Sequence, residues 1–150
     1  MKRTEIENIL PHRGIMLLVD DILELEPERT VTGYKRLRPD EAWVDGHFPG
    51  DPVFPGAWQI ELMAQTALFL FYRPGETREI RPMLAKVESV KFLAPAVPGE
   101  ELYVKVNLLM KAGAYIKAEA VICKDAAGRE RVARGKLTCY LEREGRDQNE

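Results

Sequence analysis

The stretch Gly46-His47-Phe48-Pro49-Gly50-Asp51-Pro52-Val53-Phe54-Pro55-Gly56-Ala57-Trp58-Gln59-Ile60-Glu61-Leu62-Met63-Ala64-Gln65 passes from a loop crowded with proline and glycine into a helix with almost no polar face. Pro55 suits the first position of that helix, where its missing N–H costs nothing. Ala57, Trp58, Ile60, Leu62, Met63, Ala64, Ala67, Leu68, Phe69, Leu70, Phe71 and Tyr72 predict that it continues to about Tyr72, before Arg73-Pro74-Gly75 ends it. A helix apolar nearly all round must be buried on most sides. In a short chain a curved sheet wrapped around the helix achieves this.

The flanking sequence supplies such a sheet. Glu5 to Leu10 reads as a short helix stopped by Pro11. Met16 to Glu26 and Thr30 to Leu37 read as strands joined by the turn Glu26-Pro27-Glu28-Arg29. Arg38 to Phe54 is expected to be a long, fixed, irregular loop. Met83 to Leu93, Glu101 to Met110, Ala114 to Lys124 and Glu130 to Leu141 are further strands. In one of them Leu102, Val104, Val106, Leu108 and Met110 alternate, so one face is buried. The close spacing of the last strands predicts an antiparallel meander. The expectation is one α+β domain over residues 1–150, with a frayed polar tail at 144–150. An open sheet has two edges, and a homodimer protects one of them.

The chain has 150 residues, enough for a single core. Its net charge of −2 gives no electrostatic reason to bind nucleic acid. No apolar run is long enough to span a bilayer, and the charged N-terminus does not resemble a signal peptide. A cytoplasmic location is therefore expected. The two cysteines, Cys123 and Cys139, lie in strand-like stretches and read as buried thiols. No metal-ligand spacing, phosphate-binding loop or serine-hydrolase elbow is present, so no metal or cofactor is expected.

Three residues invite a chemical reading, and each has a plainer alternative. Glu61 is a carboxylate within an apolar helix. Burial is expected to raise its pKa toward neutrality, as a general acid requires, with Gln65 one turn on as a supporting hydrogen-bond partner. The alternative is a structural carboxylate satisfied by an arginine or a backbone amide. His47 is held by a stiff loop, and an imidazole suits a base near neutral pH; it also reads as a surface or packing residue. Gly56 opens the helix, where its N–H has no intrahelical partner and faces the positive end of the dipole, which suits a developing oxyanion. It also reads as a glycine needed for tight packing. His12, in Pro11-His12-Arg13, is expected to be structural.

Leu10-Pro11-His12-Arg13, Leu17-Leu18-Val19-Asp20, Gly46-His47-Phe48-Pro49-Gly50, Pro52-Val53-Phe54-Pro55-Gly56 and Glu61-Leu62-Met63-Ala64-Gln65 together resemble the 3-hydroxyacyl-[acyl-carrier-protein] dehydratases of type II fatty acid synthesis. Val90-Lys91-Phe92 and Pro95-Ala96-Val97-Pro98-Gly99-Glu100 extend the likeness, which covers residues 8 to 142. The resemblance implies a hotdog fold and an edge-to-edge homodimer, or a higher assembly of such dimers, with active sites at the interface. It implies that His47 is the base, that Glu61 of the opposite subunit is the acid, and that the Gly56 N–H polarises a thioester carbonyl. Water would then leave a 3-hydroxyacyl chain held on an acyl carrier protein, giving a trans-2-enoyl thioester. Glutamate at position 61 favours dehydration without isomerisation. Phe54, Trp58, Met63 and Met83 are candidate tunnel residues, with Met83 in the region of the family's aromatic gate. Arg73, Arg78, Arg81 and Lys86 are candidates to meet the acidic carrier. Gly14-Ile15-Met16 and Ala57-Trp58 depart from the family's usual residues at those positions. The alternatives are a hotdog thioesterase, an enoyl-thioester hydratase acting on a coenzyme A substrate, and a non-catalytic acyl-binding protein.

Overall fold

Alternation along the strands sets the architecture. In a computed structural model, which describes residues 1–73 and 80–143, β4 (Glu101–Ala112) buries Leu102, Val104 and Val106 on one face and turns Glu101, Tyr103 and Lys105 the other way. β5 (Tyr115–Cys123) does the same with Ile116, Ala118, Ala120 and Ile122. With β1 (Asp21–Glu26), β2 (Thr30–Arg36), β3 (Ile80–Phe92) and β6 (Arg131–Arg143) they form one six-stranded antiparallel sheet, ordered β1-β2-β4-β5-β6-β3. The last three strands make the expected meander. β3, earlier in the chain, lies at the far edge against β6, and Pro82 is tolerated there because an edge strand has one side without a partner. Bulges at Leu84/Lys86, Glu88/Lys91 and Leu108/Met110 curl the sheet.

The curled sheet holds α2 (Gly56–Leu68), which buries Leu62, Met63, Ala64, Gln65, Thr66 and Ala67. Each large apolar side chain fully removed from water here contributes ~1.5–3 kcal/mol. The helix sits close to the sheet at Gly33, where an added Cβ would lie 2.8 Å from Thr66 Cγ2. α-Helical geometry stops at Leu68, earlier than the sequence predicts. The buried residues Phe69–Phe71 form a 3-10 turn, and the Leu70 carbonyl accepts the Glu28 N–H at 2.7 Å, tying the helix end to the β1–β2 turn. The expected helix stop at Pro74-Gly75, Arg78 and the tail 144–150 lie outside the described residues.

At the N-terminus, α1 (Arg3–Ile9) is followed by a 3-10 turn at Gly14–Met16. The strand predicted from Met16 begins only at Asp21. Between these points Met16 and Leu18 bond to the central helix: the Leu18 N–H donates to Gln65 Oε1 at 2.9 Å, and Gln65 Nε2 donates to the Met16 carbonyl at 2.6 Å. The backbone reaches β2 at Asp20, whose N–H donates to the Tyr34 carbonyl at 2.9 Å. Leu17, Leu18 and Val19 are consequently core residues. No helix among the described residues is long and apolar enough to cross a membrane.

Candidate active site

The loop before α2 is built from its own hydrogen bonds. The His47 N–H donates to the Trp43 carbonyl at 2.9 Å, and the Val53 N–H donates to the His47 carbonyl at 2.7 Å. Gly50 adopts a left-handed φ of 76°, which suits glycine at this reversal. The imidazole stacks on Phe48 with ring centroids 4.2 Å apart. Its Nδ1 lies 2.8 Å from the Val53 carbonyl, an acceptor only, so Nδ1 carries the hydrogen and Nε2 keeps a free lone pair. The sequence reading of a fixed histidine thus acquires an orientation: Nε2 is the nitrogen able to take a proton.

Two buried polar residues that the sequence reading passed over hold this loop in place. Lys35, on the inward face of β2, has a side chain only 2% exposed, and its Nζ lies 3.1 Å from Glu41 Oε1. Glu41 also accepts from Trp43 Nε1 at 2.7 Å and from the Arg38 N–H at 3.2 Å. Trp43 in turn packs on Phe54, and Gln59 Nε2 donates to the Phe54 carbonyl at 3.1 Å. Period-two alternation through Val31, Gly33 and Leu37 was the available signal, since it places Lys35 on the buried face.

Gly56 is the first residue of α2 and follows Pro55, which is the N-cap and not the first helical residue. A Cβ at Gly56 would lie 2.9 Å from the Phe92 ring, so the glycine lets β3 approach the helix end closely. Its N–H, as the first of the helix, has no intrahelical acceptor. Tight packing and an N–H without an intrahelical acceptor coexist here.

Glu61 lies one side of α2 further on, half-buried. Its Oε1 accepts from Gln65 Nε2 at 2.9 Å and lies 3.2 Å from His12 Nε2. His12, expected to be structural, reaches the candidate acid. One sequence expectation is corrected by this geometry. The Glu61 pKa is not raised: the His12 hydrogen bond, aided by Gln65 and by the His12 charge, outweighs burial and holds the carboxyl below its usual range. Nothing in the local sequence announces His12, which lies 49 positions before Glu61 and arrives there only because residues 10–19 pack on the helix.

These groups line a cavity of about 40 Å³ with Ala64, Leu68, Pro82, Met83, Leu84 and Cys139. Of the candidate tunnel residues only Met83 lines it. Phe54 and Met63 are buried in the core and Trp58 is half-buried. His47 is not part of its wall either. Burial, with the Glu61 charge adding to it, pushes the Cys139 thiol up to about 11. Arg73, Arg81 and Lys86, the described carrier-docking candidates, are paired with Glu28, Glu142 and Glu88.

Comparison with known proteins gives this arrangement a family. A FabA-like domain matches residues 10–134. The 3-hydroxyacyl-[acyl-carrier-protein] dehydratase FabZ of Myxococcus xanthus is 36% identical over 135 residues, covering 89% of this chain and 86% of that protein. The FabZ of Geotalea uraniireducens is 39% identical over 111 residues, covering 73% and 77%. Among solved structures, the dehydratase heterocomplex ApeI:P from Xenorhabdus doucetiae superposes with a TM-score of 0.77 at 20% identity, covering 93% of this chain and 91% of that one. A hypothetical thioesterase from Streptococcus pneumoniae superposes at 0.60 with 13% identity, covering 82% and 85%, a likeness of fold alone. The six-stranded sheet wrapped on one helix, with its histidine loop and helical glutamate, is thus a hotdog, and the chain belongs to the FabA-like family as a FabZ-type dehydratase.

Proposed function

We propose that the protein removes water from a 3-hydroxyacyl chain carried on an acyl carrier protein, with each active site formed by two copies of the chain. The observation that carries this reading is the orientation of His47, whose Nδ1–H is committed to the Val53 carbonyl and whose Nε2 lone pair is free. Nε2 takes the proton from the α-carbon. The Gly56 N–H and the helix dipole hold the thioester oxygen as it gains enolate charge. Glu61 of the other subunit, in the fraction that carries a proton, gives it to the β-hydroxyl, the C–O bond breaks, and water leaves a trans-2-enoyl thioester.

The need for a second copy is supported by two features. The cavity at Glu61 is far smaller than an acyl-chain pocket, and His47 is absent from its wall. β3 also presents Met83, Leu84, Val87 and Phe92 at 52%, 43%, 42% and 52% exposure along a sheet edge, an apolar row that edge-to-edge pairing would cover. Arg81 and Lys86 lie on the same strand and are candidates to meet the acidic carrier, since exposed ion pairs exchange partners at little cost.

The test is to incubate the pure protein with a 3-hydroxyacyl carrier thioester and follow the enoyl product. His47→Ala and Glu61→Gln should each lower turnover by at least about 100-fold while the oligomer stays intact. Most of the wild-type rate remaining in either variant would refute the mechanism. Release of free carrier thiol without enoyl product would identify a thioesterase instead.

A further inference from the structure

Glu61 has two carboxyl oxygens, and the structure treats them differently. Oε1 faces two nitrogen donors, Gln65 Nε2 at 2.9 Å and His12 Nε2 at 3.2 Å. Gln65 cannot turn its amide over without loss. Its Oε1 accepts the Leu18 N–H at 2.9 Å, and its Nε2 also donates to the Met16 carbonyl at 2.6 Å. His12 is held just as firmly from behind. The Arg13 guanidinium donates to the carbonyls of Leu10, His12 and Glu7 at 2.6, 2.7 and 2.7 Å, clamping the segment after α1. Its ring Nδ1 is buried and has no hydrogen-bond partner. A buried N–H without an acceptor is rarer than a buried lone pair without a donor, so the ring hydrogen belongs on Nε2, pointing at Glu61.

We infer that His12 is a positioning residue: together with Gln65 it commits Oε1 of Glu61 as a hydrogen-bond acceptor and leaves Oε2 as the oxygen that carries the acidic proton. This deepens the dehydratase reading and rests on it for its catalytic meaning. In the elimination the Oε2–H bond breaks and the proton passes to the β-hydroxyl oxygen. The C–O bonding pair leaves with water, while the α-C–H pair becomes the new double bond and its proton goes to the base. The carboxylate left behind keeps both N–H bonds on Oε1. The other titratable group lining the cavity beside Glu61 is the Cys139 thiol from β6; β3 contributes Pro82, Met83 and Leu84, which carry no charge. Against His12 itself stand Glu61 and the Arg13 guanidinium, the latter turned to backbone carbonyls.

The sign of the pH effect follows. Glu61 gives its proton from the protonated form, so its pKa sets how much of the enzyme is ready to react. The His12 donor holds that pKa down; without it, burial is left to push upward, and the carboxyl titrates at higher pH.

The test compares His12→Phe, which keeps a ring and removes the donor, with His12→Gln, which keeps an N–H of similar reach. In the carrier-thioester assay His12→Phe should lower kcat by about tenfold with KM changed less than about twofold. Its Glu61 carboxyl should titrate at higher pH than in wild type. His12→Gln should return both toward wild type. A kcat unchanged in His12→Phe, or not recovered in His12→Gln, overturns the inference. Carbon-13 titration of the Glu61 carboxyl needs no turnover: an upward midpoint in His12→Phe supports the inference and an unmoved one overturns it. A wild-type protein that forms no enoyl product would sink the dehydratase reading and leave this measurement to decide. Nitrogen-15 spectra of the wild type provide a reading without any variant: a hydrogen on His12 Nε2 is expected, and one on Nδ1 overturns the assignment.

Discussion

Replacing Lys35 by Met would remove the positive member of a buried pair while nearly conserving volume. Taking one partner from a buried ion pair typically costs about 3–5 kcal/mol, because the other charge is stranded. Glu41 keeps its Trp43 and Arg38 donors, and its side chain is 13% exposed, so the low end, about 3 kcal/mol, is expected. For a chain of this size that lowers Tm by roughly 6–12 °C. The loss should depend on pH. Burial pushes the Glu41 carboxyl up, but the Trp43 N–H, the Lys35 charge and the Arg38 N–H together outweigh it and hold the pKa below the usual range. Wild type therefore keeps the contribution above the unfolded pKa and loses it as pH falls through the lowered folded value. The variant has a higher folded pKa and neutralises its stranded carboxylate sooner, so the gap between the two proteins narrows in acid. Urea unfolding at several pH values measures both effects. Lys35→Met combined with Glu41→Leu should recover much of the loss, since neither charge is then buried alone. A single variant within about 1 kcal/mol of wild type at neutral pH, or a gap that does not narrow in acid, would refute the reasoning.

Gly33→Ala should destabilise by about 1–3 kcal/mol in thermal or urea unfolding, because the new Cβ meets Thr66 at 2.8 Å. Adding Thr66→Ala removes the side-chain atoms it meets and should recover part of the loss; strict additivity of the two costs would contradict the contact. Cys139, with its thiol pushed up to about 11, should alkylate in the native protein near pH 8 roughly a hundredfold more slowly than a free cysteine, read by mass spectrometry. A rate near that of free cysteine would contradict its burial.

The helix, its apolar surround and the strands were legible in sequence because periodicity reports burial directly, as in Leu102, Val104 and Val106. Errors arose where side chains compete with the backbone for hydrogen bonds. Leu17 to Val19 has strand-like composition, yet Gln65 takes the Leu18 N–H and the segment docks on a helix. The candidate site divides in the same way. His47 and Glu61 sit in one motif and are found by reading along the chain. The direction of the Glu61 pKa depends on donors from elsewhere, and burial alone gives the wrong sign. His12 reaches the site because Leu18 and Met16, a few residues on, are bonded to Gln65 of the helix. Lys35 was visible to alternation, but its partner, six residues away in an irregular loop, was not.

The strand order has a further consequence, for the making of the protein. β3 is complete at Phe92, yet its neighbour in the sheet, among the described residues, is β6, which spans Arg131–Arg143. β6 must itself pair on its other side with β5. During synthesis the edge strand stays without its partner, and the apolar central helix without its full cover, until nearly the whole chain has left the ribosome. The final strand then inserts between two that already exist. Such non-local closure is slow and leaves apolar surface exposed meanwhile. A ribosome that stalls before Arg131 would release a chain with its helix half-wrapped and β3 unattached, a natural client for a chaperone.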